Sequence, residues 1–211
     1  MGRRARTEEA KQARRELILE AARDSFFKLG YEATTIERIM EAAGLSTGTF
    51  YLYFKSKIEI YKILLDHGID ILEQMLSRAV SHPSASASER ILLATDAYLA
   101  FYEQHPEYFD IIAVISVRAD ELRERESSIS QTIDEKNLRI LKQVGLIIEQ
   151  GVHSGEFRSL DPWLAATGLW GLMDGLIMLA ERNNLRTVGI ELKALVKHSL
   201  GLTLDGMRTK N

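Results

Sequence analysis

Residues 42–57 read AAGLSTGTFYLYFKSK, and this stretch decides how the chain folds. Gly44 is placed to end one helix, and Ser46 is placed to cap the next one. Phe50 and Phe54 lie one helical turn apart, so they face the same side of that next helix. The opposite side carries hydroxyls and phenols, which belong to Thr47, Thr49, Tyr51 and Tyr53. This division predicts a short surface helix that meets a polar partner.

The helices on either side of this stretch complete a larger pattern. A first helix is predicted over about residues 8–29, a second begins at a Thr34–Glu37 capping box, and a third runs to Phe54. A long fourth helix follows from residue 56 to about residue 80. Two short helices joined by a tight turn that contains glycine form a helix-turn-helix, whose last helix enters the major groove of DNA. The sequence therefore predicts a DNA-binding domain over residues 1–57.

Over roughly residues 10–60 the chain resembles the TetR family of bacterial repressors. The resemblance implies that Thr47, Gly48 and Tyr51 face the bases of DNA. The positions that it places against the DNA backbone are Thr49, Leu52, Tyr53 and Lys57. Glu37 would repel phosphate and is assigned to capping alone. Leu52 cannot donate a hydrogen bond, so the predicted DNA-binding residues are Thr35, Ser46, Thr47, Gly48, Thr49, Tyr51, Tyr53 and Lys57.

The rest of the chain also reads as helix. Further helices are predicted over about residues 86–105, 107–119, 128–153, 162–183 and 188–204. No segment alternates apolar and polar residues with the period of a strand. The predicted fold class is therefore all-α, with a helical regulatory and dimerisation domain over residues 58–211.

The distribution of charge fits this division of the chain. Residues 1–65 carry 12 Lys and Arg against 9 Asp and Glu, whereas the remaining residues carry 15 against 21. A mildly basic N-terminal part joined to an acidic body is compatible with DNA binding at one end. The arginines at positions 3, 4, 6, 14 and 15 form either a flexible arm that touches DNA or a merely solubilising tail.

Several classes of protein are disfavoured by missing signals. The chain has no cysteine, which excludes disulfides, zinc–thiolate sites and a cysteine nucleophile. No phosphate loop, dinucleotide fingerprint, nucleophile elbow or His-Glu-x-x-His motif is present, so we expect neither an enzyme nor a bound cofactor or metal. The basic N-terminus is not followed by an apolar run, which favours the cytoplasm over secretion.

The predicted helix from Trp163 to Ala180 is apolar around its whole circumference. A membrane span is disfavoured because Asp174 lies in its middle. One short recognition helix buries too little surface for tight specific binding, so a homodimer on a pseudo-palindromic operator is expected. The alternative for this helix is complete burial within one subunit. The predicted interface residues are Ala165, Gly168, Leu172, Gly175, Leu192, Leu195, Val196, Ser199 and Leu202.

The helices between these two regions are rich in aromatic side chains. The resemblance implies that a small-molecule effector binds there and lowers the affinity for DNA. The predicted pocket residues are Tyr98, Phe101, Tyr102, Phe109, Trp170, Met173 and Asp174. Their largely apolar character favours a lipophilic or acyl ligand. Two alternatives stay open at this point: the aromatic residues form ordinary core, or the protein binds DNA without any small ligand.

Overall fold

A computed structural model describes residues 2–82, 84–117, 128–182 and 184–209. The first four helices are α1 (Gly2–Ala33), α2 (Ile36–Ala42), α3 (Thr47–Phe50) and α4 (Lys57–Val80). The others in the described ranges are α5 (Ala87–Gln104), α6 (Pro106–Val117), α7 (Ser128–His153), α8 (Pro162–Glu181), α9 (Asn184–Thr187) and α10 (Leu192–Met207). Within these ranges there is no strand, only an isolated bridge between Phe157 and Arg208. The all-α prediction is confirmed.

The chain divides into two compact units. The first contains Met1–Asp70 together with His105–Ile133, and the second contains Ile71–Gln104 together with Asp134–Asn211. Helix α4 contributes residues to both units. The predicted domain boundary at residue 57 lies inside the first unit. That residues 1–57 form the DNA-binding domain remains a prediction.

The first unit is organised by a bend between α1 and α2. Gly30 has a φ of 75° and breaks the regular course of α1. Thr34 is fully buried, and its hydroxyl proton is directed to the carbonyls of Ser25 at 3.1 Å and Gly30 at 2.8 Å. Thr34 therefore does not cap α2. Thr35 does, by accepting a hydrogen bond from the amide of Arg38 at 3.3 Å, so the predicted capping position was wrong by one residue.

The small core of this unit is built as the sequence predicts. Its fully or nearly fully buried side chains come from α1, α2 and the residues around α3, and they include Ile18, Ala22, Phe26, Ile39, Met40, Phe50 and Phe54. The ring of Phe26 meets that of Tyr61 on α4 edge to face, with 5.2 Å between the ring centroids. The start of α4 is thereby packed against α1.

In the second unit, side-chain caps stabilise the start of α5. Ser86 and Glu89 form a reciprocal capping box at the start of α5, as predicted. Glu156 adds a cap from the α7–α8 connection, where its two carboxylate oxygens accept the amides of Ala87 and Ser88 at 2.8 Å each. The backbone carbonyl of Glu156 also accepts the amide of Thr209. Glu156 therefore joins the start of α5 to the C-terminal part of the chain.

The boundaries of some helices differ from the predicted ones. Helix α3 ends at Phe50 and continues as a turn to Phe54, held by bonds from the amides of Tyr53 and Phe54 to the carbonyl of Phe50. The short helix α9 was not predicted, and the last helix begins at Leu192 rather than near residue 188. Helix α8 begins as predicted, with Asp161 accepting the amides of Trp163 and Leu164. By length and composition, α8 is also the one helix in the described ranges that could cross a membrane, a test that core helices pass too.

Two glycines of α7 provide a matched test of this packing. A Cβ at position 151 would lie 2.6 Å from Cε2 of Phe157 and 2.8 Å from Cβ of Ala87, whereas one at position 145 would meet nothing within 4 Å. We expect Gly151→Ala to lower the free energy of unfolding by roughly 1–3 kcal/mol because the core is overpacked. Gly145→Ala should instead raise it by up to about 1 kcal/mol through helix propensity. Urea unfolding measures both, and equal effects of the two changes would contradict this packing.

Candidate nucleic-acid interface

Residues 35–56, which we call the reading segment, contain α2, the turn at Gly44, α3 and the turn to α4. Gly44 has a φ of 66°, a conformation that favours glycine and reverses the chain after α2. Phe50 and Phe54 are buried, while Tyr51 is 63% exposed and Leu52 is 74% exposed. The division between an inner and an outer side agrees with the sequence. The chain thus presents a large phenol and a large aliphatic side chain to solvent at the end of α3.

The hydroxyl-bearing residues of the reading segment differ in their exposure to solvent. Thr47 is exposed, as is the backbone at Gly48. Ser46 occupies the N-cap position of α3, yet its hydroxyl lies 2.9 Å from that of Thr49 and makes no cap to the backbone. Thr49 and Tyr53 are half-buried, so they are less available than predicted. The exposed surface is therefore centred on Thr47, Gly48 and Tyr51.

Thr35 and Glu37 lie together at the start of α2. Glu37 is exposed, and hydrogen bonds from its own amide and from the hydroxyl of Thr35 hold the pKa of its carboxyl below the usual value. Glu37 therefore stays charged at the start of α2. The predicted contact between Thr35 and DNA remains a prediction.

Lys57 makes contacts within the protein at the start of α4, and its predicted contact with the DNA backbone remains a prediction. Its ammonium group donates to the carbonyl of Tyr31 at 2.7 Å and to the carbonyl of Thr34 at 2.8 Å. The same nitrogen lies 4.1 Å from the centre of the Tyr31 ring. The side chain is thus turned toward the α1–α2 connection.

Two further cations of the reading segment are exposed, although the sequence analysis gave them no role. Lys55 is exposed at the turn before α4, where only its backbone amide is tied, to the carboxylate of Glu59 at 2.6 Å. Arg38 is exposed on α2, and one of its guanidinium nitrogens donates to the carbonyl of Ala33 at 3.2 Å. The motif Lys55-Ser56-Lys57 offered two lysines. The resemblance assigns the contact with the DNA backbone to Lys57, and in the structure it is Lys55 that has an exposed side chain.

The predicted pocket residues fall in different parts of the chain. Phe109 lies on α6 in the first unit, and the other six lie on α5 and α8 in the second unit. Phe101 and Met173 are buried, Tyr98, Tyr102 and Asp174 are half-buried, and Trp170 is exposed. Two phenol–carboxylate bonds, Tyr98 to Asp174 and Tyr102 to Glu181, join α5 to α8.

Asp174 is the acidic residue in the middle of the otherwise apolar helix α8. Burial raises the pKa of its carboxyl above the ordinary value, although hydrogen bonds from Tyr98 and Trp170 act in the opposite direction. Burial and the charge of Asp174 likewise raise the pKa of Tyr98. Among the described residues, no group of three or more His, Asp or Glu side chains is arranged to hold a metal ion.

The predicted dimer residues lie on α8 and α10, and all but one of them are at least partly open to solvent. Gly168, Gly175 and Leu202 are exposed. Five others are half-buried, namely Ala165, Leu172, Leu192, Leu195 and Ser199. Val196 is the exception, because it is buried in the core of its own subunit. The exposed side of α8 includes five large apolar side chains that the prediction omitted: Trp163, Leu164, Trp170, Met178 and Leu179.

The fold and the reading segment define a helix-turn-helix protein that binds DNA. Residues 18–63 match the model of the bacterial regulatory proteins of the tetR family. The chain is 30% identical over 165 residues to the transcriptional regulator RutR of Escherichia coli O157:H7, an alignment that covers 76% of this chain and 72% of RutR. The chain belongs to the TetR family of transcriptional regulators.

Two further similarities extend over nearly the whole chain. The fatty acid metabolism regulator protein of Bacillus subtilis strain 168 is 26% identical over 202 residues, which cover 92% of this chain and 95% of that protein. The crystal structure of FadR from Bacillus subtilis in complex with stearoyl-CoA superposes with a TM-score of 0.67 at 24% identity, covering 92% of this chain and 99% of that one. The fold of the whole described chain is therefore that of a TetR-type regulator.

The exposure of Tyr51 leads to a test of base recognition. Because Tyr51 lies on the outer side of α3, Tyr51→Ala should leave the thermal midpoint unchanged. It should weaken binding to operator DNA roughly tenfold or more, and binding to unrelated DNA far less. Tyr51→Phe, which keeps the ring, separates the contribution of the hydroxyl. Fluorescence anisotropy with both DNAs measures the effect, and an equal loss on the two DNAs would argue against base recognition by Tyr51.

Proposed function

We propose that the protein is a homodimeric repressor that binds a pseudo-palindromic operator and is released by an acyl-CoA thioester. The observation that carries this proposal is the similarity to the fatty acid metabolism regulator of Bacillus subtilis. It extends over 92% of this chain, far beyond the matched DNA-binding residues 18–63. The exposed outer side of α3 supports DNA recognition. The aromatic helices of the second unit support an effector with a long apolar part.

The proposed base-facing residues are Thr47, Gly48 and Tyr51, because all three are exposed on one side of α3. Lys55 and Arg38 supply exposed cations on the same segment, where they can neutralise phosphates. Ser46, Thr49 and Tyr53 support this surface from its edge. One such surface is small, and two copies related by a two-fold axis would give the affinity that a specific regulator needs.

The dimer is proposed to form through α8 and α10. The outer side of α8 carries Leu164, which is 74% exposed, and three glycines, Gly168, Gly171 and Gly175, whose Cβ positions meet nothing within 4 Å. Small residues allow a second helix to approach closely, and the exposed apolar side chains around them gain by burial. Leu202 on α10 is 63% exposed and extends this surface. The apolar character of α8 is thus better explained by a partner subunit than by a membrane.

The effector is proposed to bind in the second unit, between α5 and α8, through Tyr98, Phe101, Tyr102, Trp170, Met173 and Asp174. The crystal structure of FadR from Bacillus subtilis contains stearoyl-CoA, which fits the apolar character of these residues. An acyl chain would contact the aromatic and methionine side chains. Asp174 and Tyr98 would offer hydrogen-bonding groups.

The remaining parts of the proposal follow from the family. The similar proteins are bacterial transcriptional regulators, so we propose that this one acts in the cytoplasm, where bacterial DNA lies. We also propose that it works by binding alone, without catalysis and without a bound cofactor. Its response to a ligand requires only that the DNA-bound and DNA-free states differ in their affinity for that ligand.

The dimer surface can be tested with two exposed leucines. Leu164→Glu places a charge on the proposed interface and should convert the dimer to a monomer at micromolar concentration because a buried unpaired charge is costly. Leu146→Glu is the matched control, since Leu146 on α7 is 55% exposed and lies outside the proposed interface. Sedimentation equilibrium gives the mass of each variant. Loss of the dimer in both variants, or in neither, would contradict the assignment to α8.

The effector can be tested by titration of the protein–operator complex. Long-chain acyl-CoA should release the protein from its operator, and it should raise the thermal midpoint of the free protein because it binds the folded state. Coenzyme A without an acyl chain should do neither. Anisotropy and thermal unfolding measure the two effects. Release by free coenzyme A, or no response to acyl-CoA of any chain length between four and eighteen carbons, would exclude this class of effector.

A further inference from the structure

The first turns of α1 precede the part of the chain that matches the family model. Helix α1 begins at Gly2, whereas the match to the tetR model begins at residue 18. We propose that Lys11 and Arg14, in this N-terminal extension of α1, bind DNA phosphates next to those that the reading segment reaches. The proposal adds to the DNA binding that the family implies, and it does not depend on the proposed effector.

The helical period determines where these two cations lie. Positions 11, 15, 18 and 22 recur at intervals of three or four residues, and position 14 lies four residues before position 18, so all five share one side of α1. Ile18 and Ala22 are fully buried in the core of the first unit. Lys11 and Arg14 precede this core and are exposed. The core side of α1 therefore continues toward the N-terminus as a basic surface.

Arg15 shows that this surface adjoins the reading segment. Its guanidinium carbon lies 5.1 Å from the centre of the Phe54 ring, a cation–π contact with the last residue of the turn that follows α3. Because an α-helix rises about 1.5 Å per residue, Lys11 lies about 6 Å farther along α1 than Arg15. The basic side of the extension is therefore the side that meets the reading segment at Phe54.

Most acidic residues of the extension lie on another side of α1. Glu9, Gln12 and Glu16 recur at intervals of three and four residues, and the side-chain amide of Gln12 donates to Glu16 at 2.9 Å. Glu8 is the exception, because it lies one turn before Lys11 on the basic side. Three cations against one carboxylate leave that side with a positive charge, which attracts the phosphates of DNA.

The two cations differ from an arginine farther along the same helix. Arg23 lies 3.1 Å from a carboxylate oxygen of Asp24 and 3.6 Å from one of Glu20. Among the described residues, Lys11 and Arg14 have no such partner. A charge that serves solubility alone needs no particular side of a helix. The separation of charge beside the reading segment is therefore better explained by a bound phosphate backbone.

The first experiment measures the salt dependence of DNA binding in the full chain. The probe is a duplex that the protein itself selects from a random-sequence pool. Lys11→Gln and Arg14→Gln should each lower the slope of log Kobs against log salt concentration by about 0.9 for every subunit bound. Their thermal midpoints should stay unchanged, because glutamine has a similar helix propensity and both side chains are exposed.

Lys28→Gln is the matched control. Lys28 is also exposed on α1 and loses the same charge, but it lies about 26 Å from Lys11 along the helix. Its slope should equal that of the unmodified protein. Unchanged slopes for Lys11→Gln and Arg14→Gln, or an equal fall for Lys28→Gln, would overturn the proposal.

The second experiment locates the contacts on the same duplex. Ethylation of individual phosphates should interfere with binding of the unmodified protein at positions that no longer matter to the variant Lys11→Gln/Arg14→Gln. Interference by the same phosphates in both proteins would contradict the assignment, even if the slopes differ. If the unmodified protein selects no duplex at all, DNA binding itself is rejected, and this proposal with it. Binding with an unaltered slope in the variants rejects this proposal alone.

Discussion

The first unit depends on the way in which polar groups are satisfied at the bend between α1 and α2. The chain breaks its helix at Gly30, and this leaves carbonyl groups at the end of α1 without helical partners. The buried hydroxyl of Thr34 and the ammonium of Lys57 supply those partners from within the protein. These hydrogen bonds stabilise the bend, because a carbonyl that is shielded from water and left without a partner is costly. The direction of α2, and with it that of α3, follows from this bend.

Much of this architecture could be predicted from the sequence. Helical periodicity places Phe50 and Phe54 inside and Tyr51 outside, and the structure agrees with that division. The capping box at Ser86 was also correct, since its two partners are close in sequence and depend on local geometry alone. Sequence reasoning therefore predicts the features that depend on contacts within one or two helical turns.

The errors have a common physical origin. Thr34 and Thr35 are chemically alike, and the cap is decided by which of the two the bend buries. Lys55 and Lys57 are equally cationic, and the sequence does not show that the ammonium of Lys57 is bonded to carbonyls more than twenty residues earlier. Val196 lies on the same side of α10 as Leu192 and Ser199, which are half-buried, but its own side chain is buried in the core. Each of these outcomes depends on contacts between distant parts of the chain, which a single sequence does not display.

The double role of Glu156 bears on how the protein can be handled. Its carboxylate caps α5, the helix that carries Tyr98, Phe101 and Tyr102, while its backbone carbonyl receives the amide of Thr209. Arg158 strengthens the same connection through bonds to the carbonyls of Gly206 and Met207. The final residues of α10 are thus part of the support for α5. Deletions that reach into this stretch would disturb a helix more than a hundred positions away, so an affinity tag is best appended after a spacer.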